Sequence, residues 1–438
     1  MRSRNFFTLL SMEWRELLAS RAFWILLLLT GLLVGHSFIN AVNLYAEASG
    51  IGGGSAALAQ GLTPLDGMLV PTFGAYDLAI MFLFPFVAIR TIAIEKESGG
   101  WKILLQLPGS LYTKVAAKGL ALLIGWLIAL LPGLLALVLW EIYGGHLYAP
   151  ETLNLLLGHL LRMALGSGIA VVAAAVAESA ASAAIITLGI TVGTWALDFI
   201  AAGRGGLLQQ LASYTPTAAL RFFERGLLRL DTVIVMLGVS AAGFAAGAIW
   251  LNSGWKPQAR FVRIAVIVIA LAVVIVAGAN LRMSLDVSEN RRNSFSHADE
   301  AALGEIQQPL RVTAFLSPED PRLTDLEQSV LSKLRRILPR VEVDYIAGGG
   351  SSGLFANNEN HYGEIWYELN GSRVMERSTI EPVVLEQIYK LANVNPPKPS
   401  GENEFSGYPL AARPTGAAWI FYGLWPLATI LVWWLTRR

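Results

Sequence analysis

The stretch "AIRTIAIEKESGGWKILLQLPGS", residues 88–110, decides how the chain is organised. An apolar run ends in the charges "EKE", two glycines follow, and a short apolar segment is stopped by Pro108-Gly109. Charges keep the end of an apolar helix in water, and Gly99-Gly100 permit a sharp reversal. The pattern predicts a polar loop between two membrane-spanning helices that carries a short apolar helix. Such a helix either lies in the lipid interface or docks on a protein partner.

Composition supports a membrane protein. Hydrophobic residues make up 54% of the 438 residues and charged residues 15%, and the mean hydropathy is +0.52, well above that of a soluble globular chain. The net charge of +1 and the lack of a long basic tract argue against a nucleic-acid partner. The chain has no cysteine, which excludes disulfides, thiolate nucleophiles and Cys-based metal sites.

A helix needs roughly 20 apolar residues to span a bilayer, and about eight runs qualify. They are approximately 23–42, 75–94, 115–140, 153–176, 183–201, 232–251, 261–279 and 417–435. Pro132-Gly133 predicts a kink in the third run. The first run is too long for a signal peptide and has no small-residue cleavage site close behind it, which indicates an uncleaved anchor.

The distribution of Lys and Arg predicts the orientation, because short basic loops stay cytoplasmic. Basic residues precede the first run, lie between the second and third and between the sixth and seventh, and close the chain. Residues 43–74 and 141–151 have none, so we expect both termini to be cytoplasmic. One segment, 202–230, departs from the rule: it is outside by parity yet contains four arginines, Arg204, Arg221, Arg225 and Arg229.

The one long polar stretch, about 281–414, then lies on the outer side. "LRVTAFLS" alternates like a strand, "LTDLEQSVLSKLRRIL" has helical spacing and "VEVDYI" is a second strand, which together predict a βαβ unit. A hairpin around Asn370-Gly371 and a helix in "EPVVLEQIYKLANV" follow. The predicted fold class is an all-α polytopic membrane protein of about eight transmembrane helices, with a small α/β extracytoplasmic domain between the last two.

The opening stretch resembles permease subunits of type-two ABC exporters, of the NosY/GldF-like kind. In that family the second span runs into "E-K/R-E-x-G", a short apolar segment ends in "L-P-x-S", and the third span follows. "FFTLLSMEWRELLASRAF" is similar to the family's amphipathic elbow helix, and "SYTPTAALRFFERGLL" to its segment before the sixth span. The resemblance covers about residues 5–252. The positions that match the loop pattern are Glu95, Lys96, Glu97, Gly99, Leu107, Pro108 and Ser110, with Gly100 where Thr is commoner.

A second resemblance covers "LRMSLDVSENRRNSFSHADEAALGEIQQPLRVTAFLS". It is similar to the start of the outer domain of GldG-like auxiliary subunits from gliding-motility ABC systems, which carry a span at each end of that domain. Larger versions continue much further, so the domain would be a truncated relative. The two resemblances imply five parts: an elbow helix 1–20, a permease domain 21–255, a seventh helix 256–282, a GldG-like periplasmic domain 283–414 and an eighth helix 415–438.

The resemblance also implies roles for residues. The loop would be the coupling helix that docks on an ATPase, through Glu95, Lys96, Glu97, Gly99, Gly100, Trp101, Leu104, Leu107 and Pro108. Spans two and five would line the route between two permease copies, so Phe82, Phe84, Phe86, Ile190, Thr194 and Trp195 are candidate wall residues. The implied partners are a cytoplasmic ABC ATPase that binds ATP and Mg, a second permease copy, membrane lipids and a possible envelope protein, all at a bacterial inner membrane. The chain itself would hold no cofactor.

Catalysis by the chain itself finds little support. It has no phosphate-cradling "G-x-x-x-x-G-K-[ST]", no "H-E-x-x-H" and no "G-x-S-x-G", and its five histidines are too scattered to form a metal site. His159 and Arg162 share one face of the fourth span and are able to pair with a carboxylate, because ionisable groups at depth are costly unless partnered. With Asp198 they are the intramembrane polar candidates; the alternative is that such groups sit near helix ends and reach water.

Two functions from different classes stay open. In the first, the chain is the permease subunit of an exporter that moves an amphiphilic substrate. In the second, it transmits ATP-driven motion to an envelope protein through its outer domain and moves no solute.

Overall fold

The computed structural model describes residues 2–49, 62–106, 110–201, 207–279, 281, 283–317, 320–346, 361–397, 405, 407–410 and 412–436. It divides into two compact units. The first comprises Met1–Trp195, Arg229–Met283 and Ser406–Arg438, and the second Ala196–Leu228 and Ser284–Phe405. The domain borders expected from the sequence did not place residues 196–228 with the outer domain.

The first unit is helical. An amphipathic helix, α1 (Arg2–Ala19), precedes the spans. Among the described residues, eight helices are long and apolar enough to cross a membrane, as predicted: α2 (Arg21–Ala48), α3 (Leu65–Glu97), α5 (Leu111–Ile142), α6 (Ala149–Val176), α7 (Ala180–Ala201), α10 (Leu230–Trp250), α11 (Pro257–Gly278) and α15 (Ala417–Thr436). A short helix, α4 (Gly100–Gln106), lies between α3 and α5. The α-helical run of α5 is interrupted at Leu130, just ahead of Pro132, where a kink was expected.

Small residues set the closest helix contacts in this unit. A Cβ atom on Gly31 would lie 2.0 Å from the indole of Trp425, and one on Gly35 would lie 2.3 Å from Phe421, so α15 packs directly on α2. Trp425 Nε1 also donates to the Leu27 carbonyl at 2.9 Å. This is the small-xxx-small contact that lets helices approach closely in a membrane.

The second unit contains the α/β domain. Two short helices, α8 (Leu207–Ser213) and α9 (Pro216–Glu224), lead to β1 (Leu227–Arg229), which pairs with β2 (Ser284–Asp286). After α12 (His297–Gly304), β3 (Leu310–Ala314) leads into α13, made of the consecutive segments Pro321–Leu326, Glu327–Leu331 and Ser332–Ile337. The remaining elements are β4 (Val341–Tyr345), β5 (Ile365–Leu369), β6 (Ser372–Glu376) and α14 (Glu381–Ala392).

The sheet has the order β4-β3-β5-β6. Strands β3 and β4 are parallel and form the predicted βαβ unit with α13, while β5 pairs antiparallel with both β3 and β6. Asn370 and Gly371 have φ values of 53° and 78°, the left-handed geometry that a two-residue hairpin turn requires. The predicted fold class, helices in a membrane with a small α/β region late in the chain, is confirmed.

Candidate functional site

The loop between α3 and α5 is a compact, capped turn. Gly99 has a φ of +77°, a left-handed conformation in which glycine escapes the Cβ penalty, and it reverses the chain between α3 and α4. Ser110 Oγ accepts from the backbone N–H of Thr113 at 3.2 Å and so caps the start of α5. Leu107 and Pro108, two of the predicted coupling residues, lie outside the described residues.

The two large apolar residues of α4 point into the chain itself. Trp101 is 5% exposed, and its Nε1 donates to the carbonyl of Leu251 at the end of α10, at 3.3 Å. Leu104 is equally buried, and Lys114 Nζ donates to its carbonyl at 2.6 Å, which satisfies a C-terminal carbonyl of the short helix. Trp101 and Leu104 therefore anchor α4 to its own protein, and a partner would meet the opposite face.

Lys96 joins the loop to the end of α6. Its Nζ donates to three carbonyls there, those of Ala174 at 3.3 Å, Ala175 at 2.7 Å and Ala177 at 2.5 Å. The ammonium thus satisfies carbonyls that a helix end leaves without partners and complements the negative end of the helix dipole.

Glu97 binds the next helix in the same way. Its Oε1 accepts from the backbone N–H of Ala180, the first residue of α7, at 2.6 Å. A carboxylate at a helix N-terminus is stabilised by the free N–H groups and the dipole. Lys96 and Glu97 together hold the turn between α6 and α7 against the end of α3.

Glu95, the first charge of "EKE", belongs to a buried cluster. Lys118 Nζ lies 2.7 Å from Glu95 Oε1 and 2.7 Å from Glu13 Oε1, and also donates to the Thr91 carbonyl at 2.7 Å. One ammonium, fully buried, therefore ties α1, α3 and α5 together. Burial raises the pKa of the Glu13 carboxyl to about 7, although Lys118 opposes that shift. The expectation that the charges only keep the helix end in water is corrected here, because Glu95 and Lys96 are half-buried and paired.

Carboxylate oxygens of Glu13, Glu16 and Glu95 lie within 4.8 Å of one another, the spacing that a metal ion needs. Lys118 already occupies this cluster as the cation that pairs with Glu13 and Glu95. We therefore assign the cluster to ion pairing.

The outward face of the loop is small and mixed in character. Ile103 is 66% exposed, and the other exposed side chains in the described part of the loop are Glu97, Ser98, Lys102, Gln106 and Ser110. An exposed isoleucine with charged and polar neighbours on one short helix is the composition of a small docking face: an apolar centre with a polar rim.

Arg162 is paired inside the helical bundle. Its Nε donates to Asp77 Oδ1 on α3 at 2.5 Å, which is the carboxylate partner that its position demanded. His159, one turn earlier, is buried between the rings of Phe73 and Tyr76, with ring centroids 5.4 Å and 5.7 Å away. The sequence interpretation missed Asp77, although a lone carboxylate in a neighbouring apolar run was a usable signal.

Asp198, the third polar candidate, pairs with a different partner. Its Oδ2 accepts from Arg221 Nη2 on α9 at 2.5 Å. It is therefore not brought together with His159 and Arg162.

The wall candidates divide by helix face. Phe82 and Phe86 are exposed one turn apart on α3, and Ile190 and Trp195 are exposed on α7 with Thr194 half-buried. Phe84 contradicts the expectation, because its side chain is 3% exposed and packs in the core. At about 100° per residue, residues two apart on a helix face nearly opposite directions, so Phe84 cannot share a face with the other two.

A junction in the second unit joins the two segments that carried separate resemblances. The carbonyl of Gly226 accepts from the N–H of Val287 at 2.8 Å, and the carbonyl of Arg225 accepts from Asn293 Nδ2 at 2.7 Å. Gly226 has a φ of +74°, and a Cβ there would lie 2.8 Å from the side chain of Ser288. The "RG" turn and "LDVSEN" thus form one structure.

A family model described as "ABC-2 family transporter protein" matches residues 7–288. The match begins within α1, includes the helices from α2 to α11 and ends two residues after β2. Neither a curated protein nor a solved structure matches the chain.

Proposed function

The chain belongs to the ABC-2 family of transporter proteins, and on that premise we propose that it is an exporter permease whose α4 docks on a separate ATPase. Membership makes it a permease component of an ABC transporter, with ATP hydrolysis in another subunit. The observation that carries the proposal is the bracing of α4. Trp101 is bound to the end of α10 and the Leu104 carbonyl to Lys114 of α5, and the preceding charges are bound to α1, α5, α6 and α7.

This bracing suits a helix that passes force. A push on α4 passes across the turn at Ser98-Gly99 to the end of α3, and from there to the end of α6 through Lys96 and to the start of α7 through Glu97, each at hydrogen-bond distance. Movements of the ATPase would therefore be delivered to spans four and five, and not only to the two spans that flank the loop.

The test is a charge placed at the centre of the docking face. Ile103→Glu removes an apolar contact worth about 1.5–3 kcal/mol when fully buried and puts a carboxylate into the desolvated interface, which costs several kcal/mol more. We expect the affinity for the co-expressed ABC ATPase to fall by at least about thirtyfold, since about 1.4 kcal/mol is a factor of ten. The amount of ATPase recovered with the variant in detergent should fall accordingly.

Ile380→Glu is the matched control, since Ile380 is 64% exposed but lies in the second unit, at the start of α14. It should leave ATPase recovery unchanged. Equal recovery with both variants would refute docking through α4.

A second copy of the chain would complete the transport route. On α3, Leu78, Phe82 and Phe86 form an exposed stripe at i, i+4 spacing, and on α7 a Cβ at Gly189 or Gly193 would meet nothing within 4 Å. Open small residues beside exposed isoleucines suit close helix packing in a membrane. An apolar wall of this kind fits an amphiphilic substrate.

The lack of native cysteines makes the dimer directly testable. A single cysteine at Ile190 should form a disulfide with its copy in membranes under mild oxidation, whereas one at Val268 on the exposed side of α11 should not. No disulfide at Ile190, or equal yields at both sites, would count against a homodimer through α7.

The orientation is part of the proposal: both termini in the cytoplasm of a bacterial cell, and the GldG-like domain 283–414 in the periplasm. Ser372, exposed in the β5–β6 hairpin, offers the test. The cysteine of the Ser372→Cys variant should react with a membrane-impermeant maleimide in cells with a permeabilised outer membrane and an intact inner membrane. Reaction only after the cytoplasm is opened would reverse the topology.

One observation favours the second candidate function, mechanotransmission to an envelope protein. Residues 196–228, which connect spans five and six, form one compact unit with 284–405, held by the junction of Arg225 and Gly226 with Val287 and Asn293. Motion of those spans would then be transmitted to the α/β domain. ATPase stimulation by a purified amphiphile would favour export, and stimulation only by an envelope protein would favour transmission.

A further inference from the structure

A groove of about 490 Å³ opens between α5, α6 and α10 in the first unit. Small residues give it its depth, among them Ala116, Gly119, Ala164 and Ala245. Its one buried hydroxyl, on Ser167, already donates to Met163 Sδ at 3.2 Å. The full lining is Tyr112, Val115, Ala116, Gly119, Leu120, Leu123, Met163, Ala164, Ser167, Ala241, Phe244, Ala245 and Ala248.

The helices cannot close this groove by themselves. A Cβ on Gly243 of α10 would lie 3.0 Å from the backbone of Gly168 on α6, so those two helices are already in backbone contact. On its far side α5 is held by α1, where Leu17 lies 2.6 Å from the Cβ position of Gly125 and Lys118 is paired to Glu13. The contacts on either side therefore hold α5 and the α6–α10 pair apart along this groove.

The size and lining of the groove select its occupant. Water needs two to four polar partners, and the lining offers almost none. Along α5 the groove runs from Tyr112 to Leu123, about 16 Å at 1.5 Å per residue. A long apolar space that opens along its side suits a flexible hydrocarbon chain of the surrounding bilayer.

The length equals one leaflet. The hydrocarbon core of a bilayer is about 30 Å thick, so one leaflet supplies about 15 Å of acyl chain. Tyr112 stands exposed at the end next to α4, where an aromatic residue at the headgroup level is expected, and Leu123 and Met163 close the end at mid-membrane depth.

We propose that this groove is a binding site for one acyl chain of a phospholipid in the leaflet on the α4 side. The chain lies along α5 and fills the space between it and the α6–α10 pair, with its headgroup at Tyr112. The site is independent of the exporter function, because it rests only on the spans and on their packing. A bound chain would fix the start of α5, which follows α4 directly and carries Lys118.

The experiment uses the full-length protein in phosphatidylethanolamine and phosphatidylglycerol vesicles that contain a phosphatidylglycerol with a diazirine at one acyl terminus. After illumination, labelled residues are mapped by mass spectrometry. Groove residues around Leu123 and Met163 should carry at least about ten times more label than exposed α11 residues such as Val268, a ratio equivalent to about 1.4 kcal/mol. Ala116→Trp, which fills the groove, should abolish the excess.

Ala270→Trp is the matched control, because Ala270 is exposed on α11 away from the groove, and it should leave the labelling unchanged. Equal labelling of groove and α11 residues in the wild-type protein would overturn the proposal, and this measurement does not depend on any variant folding. Undiminished labelling in a folded Ala116→Trp variant would also overturn it.

Discussion

Replacing Lys118 with methionine should destabilise the membrane unit more than the loss of one surface charge would. Lys118 is 0% exposed and lies 2.7 Å from carboxylates on both α1 and α3. Removing one partner of a buried ion pair typically costs about 3–5 kcal/mol, because a buried charge is left uncompensated. Here two carboxylates, Glu13 and Glu95, lose the same ammonium.

The structure also predicts how the loss is relieved. If all three groups are replaced by methionine, no charge stays buried, and such replacements of buried ion pairs are often neutral or stabilising. The triple variant should therefore be more stable than Lys118→Met alone. The Lys118→Met variant should also be destabilised more at pH 8.5 than at pH 6, because at the lower pH Glu13 takes up a proton and no longer carries a buried charge.

The assay is thermal unfolding of the purified protein in detergent, followed by size-exclusion recovery after heating. A loss of about 3–5 kcal/mol corresponds to a fall in Tm on the order of 10 °C for a domain of this size class. Lys102→Met, at an exposed lysine of α4, should change Tm little. An unchanged Tm in Lys118→Met, or a triple variant as unstable as the single one, would refute the assigned cluster.

Three further outcomes follow from other contacts. The pKa of Glu13 is about 7 in the folded protein and 4.5 in the unfolded chain, so its contribution to stability is greatest below pH 4.5 and is lost as the pH rises to about 7. Glu13→Gln should remove this part of the pH dependence. Identical curves of stability against pH for the two proteins would contradict it. Gly31→Leu should separate α15 from α2, since its Cβ would lie 2.0 Å from Trp425, and should lower Tm, whereas Gly74→Leu, with nothing within 4 Å of its Cβ, should not. Leu331→Asp places a charge at a fully buried position of α13 and should expose the α/β domain to protease while the membrane helices stay resistant; protection of the α/β domain, or cleavage in both units, would show that this separation is wrong.

Patterns between near neighbours were enough to predict much of the fold. An apolar run long enough for a bilayer has few alternatives to a span, and all eight runs are helices in the structure. In the α/β domain, strand alternation, helical spacing and Asn370-Gly371 predicted the βαβ unit and the hairpin, because each signal depends on residues only a few positions apart. The two ends of the loop also depend on near neighbours, since Gly99 reverses the chain after α3 and Ser110 caps the start of α5.

The roles of the loop residues depended on partners far away in the sequence. Lys96 and Glu97 bind residues about eighty positions later, and Trp101 bonds to Leu251, 150 positions away. The sequence indicated that these side chains are important but not which way each one points from its helix. Trp101 was therefore expected to face an ATPase, and it faces α10 instead. Direction around a helix is decided by which neighbours pack against it.

The sequence by itself determined the membrane-spanning runs, the α/β fold of the polar stretch and the position of the short helix between the second and third runs, because hydropathy, turn chemistry and strand alternation are properties of contiguous residues. Only the tertiary structure decided that Asp77 pairs with Arg162, that Phe84 is buried while Phe82 and Phe86 are exposed, and that residues 196–228 join the α/β domain. Each of these depends on which helix faces lie against one another. Buried charges and close-packed side chains are tolerated only when distant parts of the chain supply their partners.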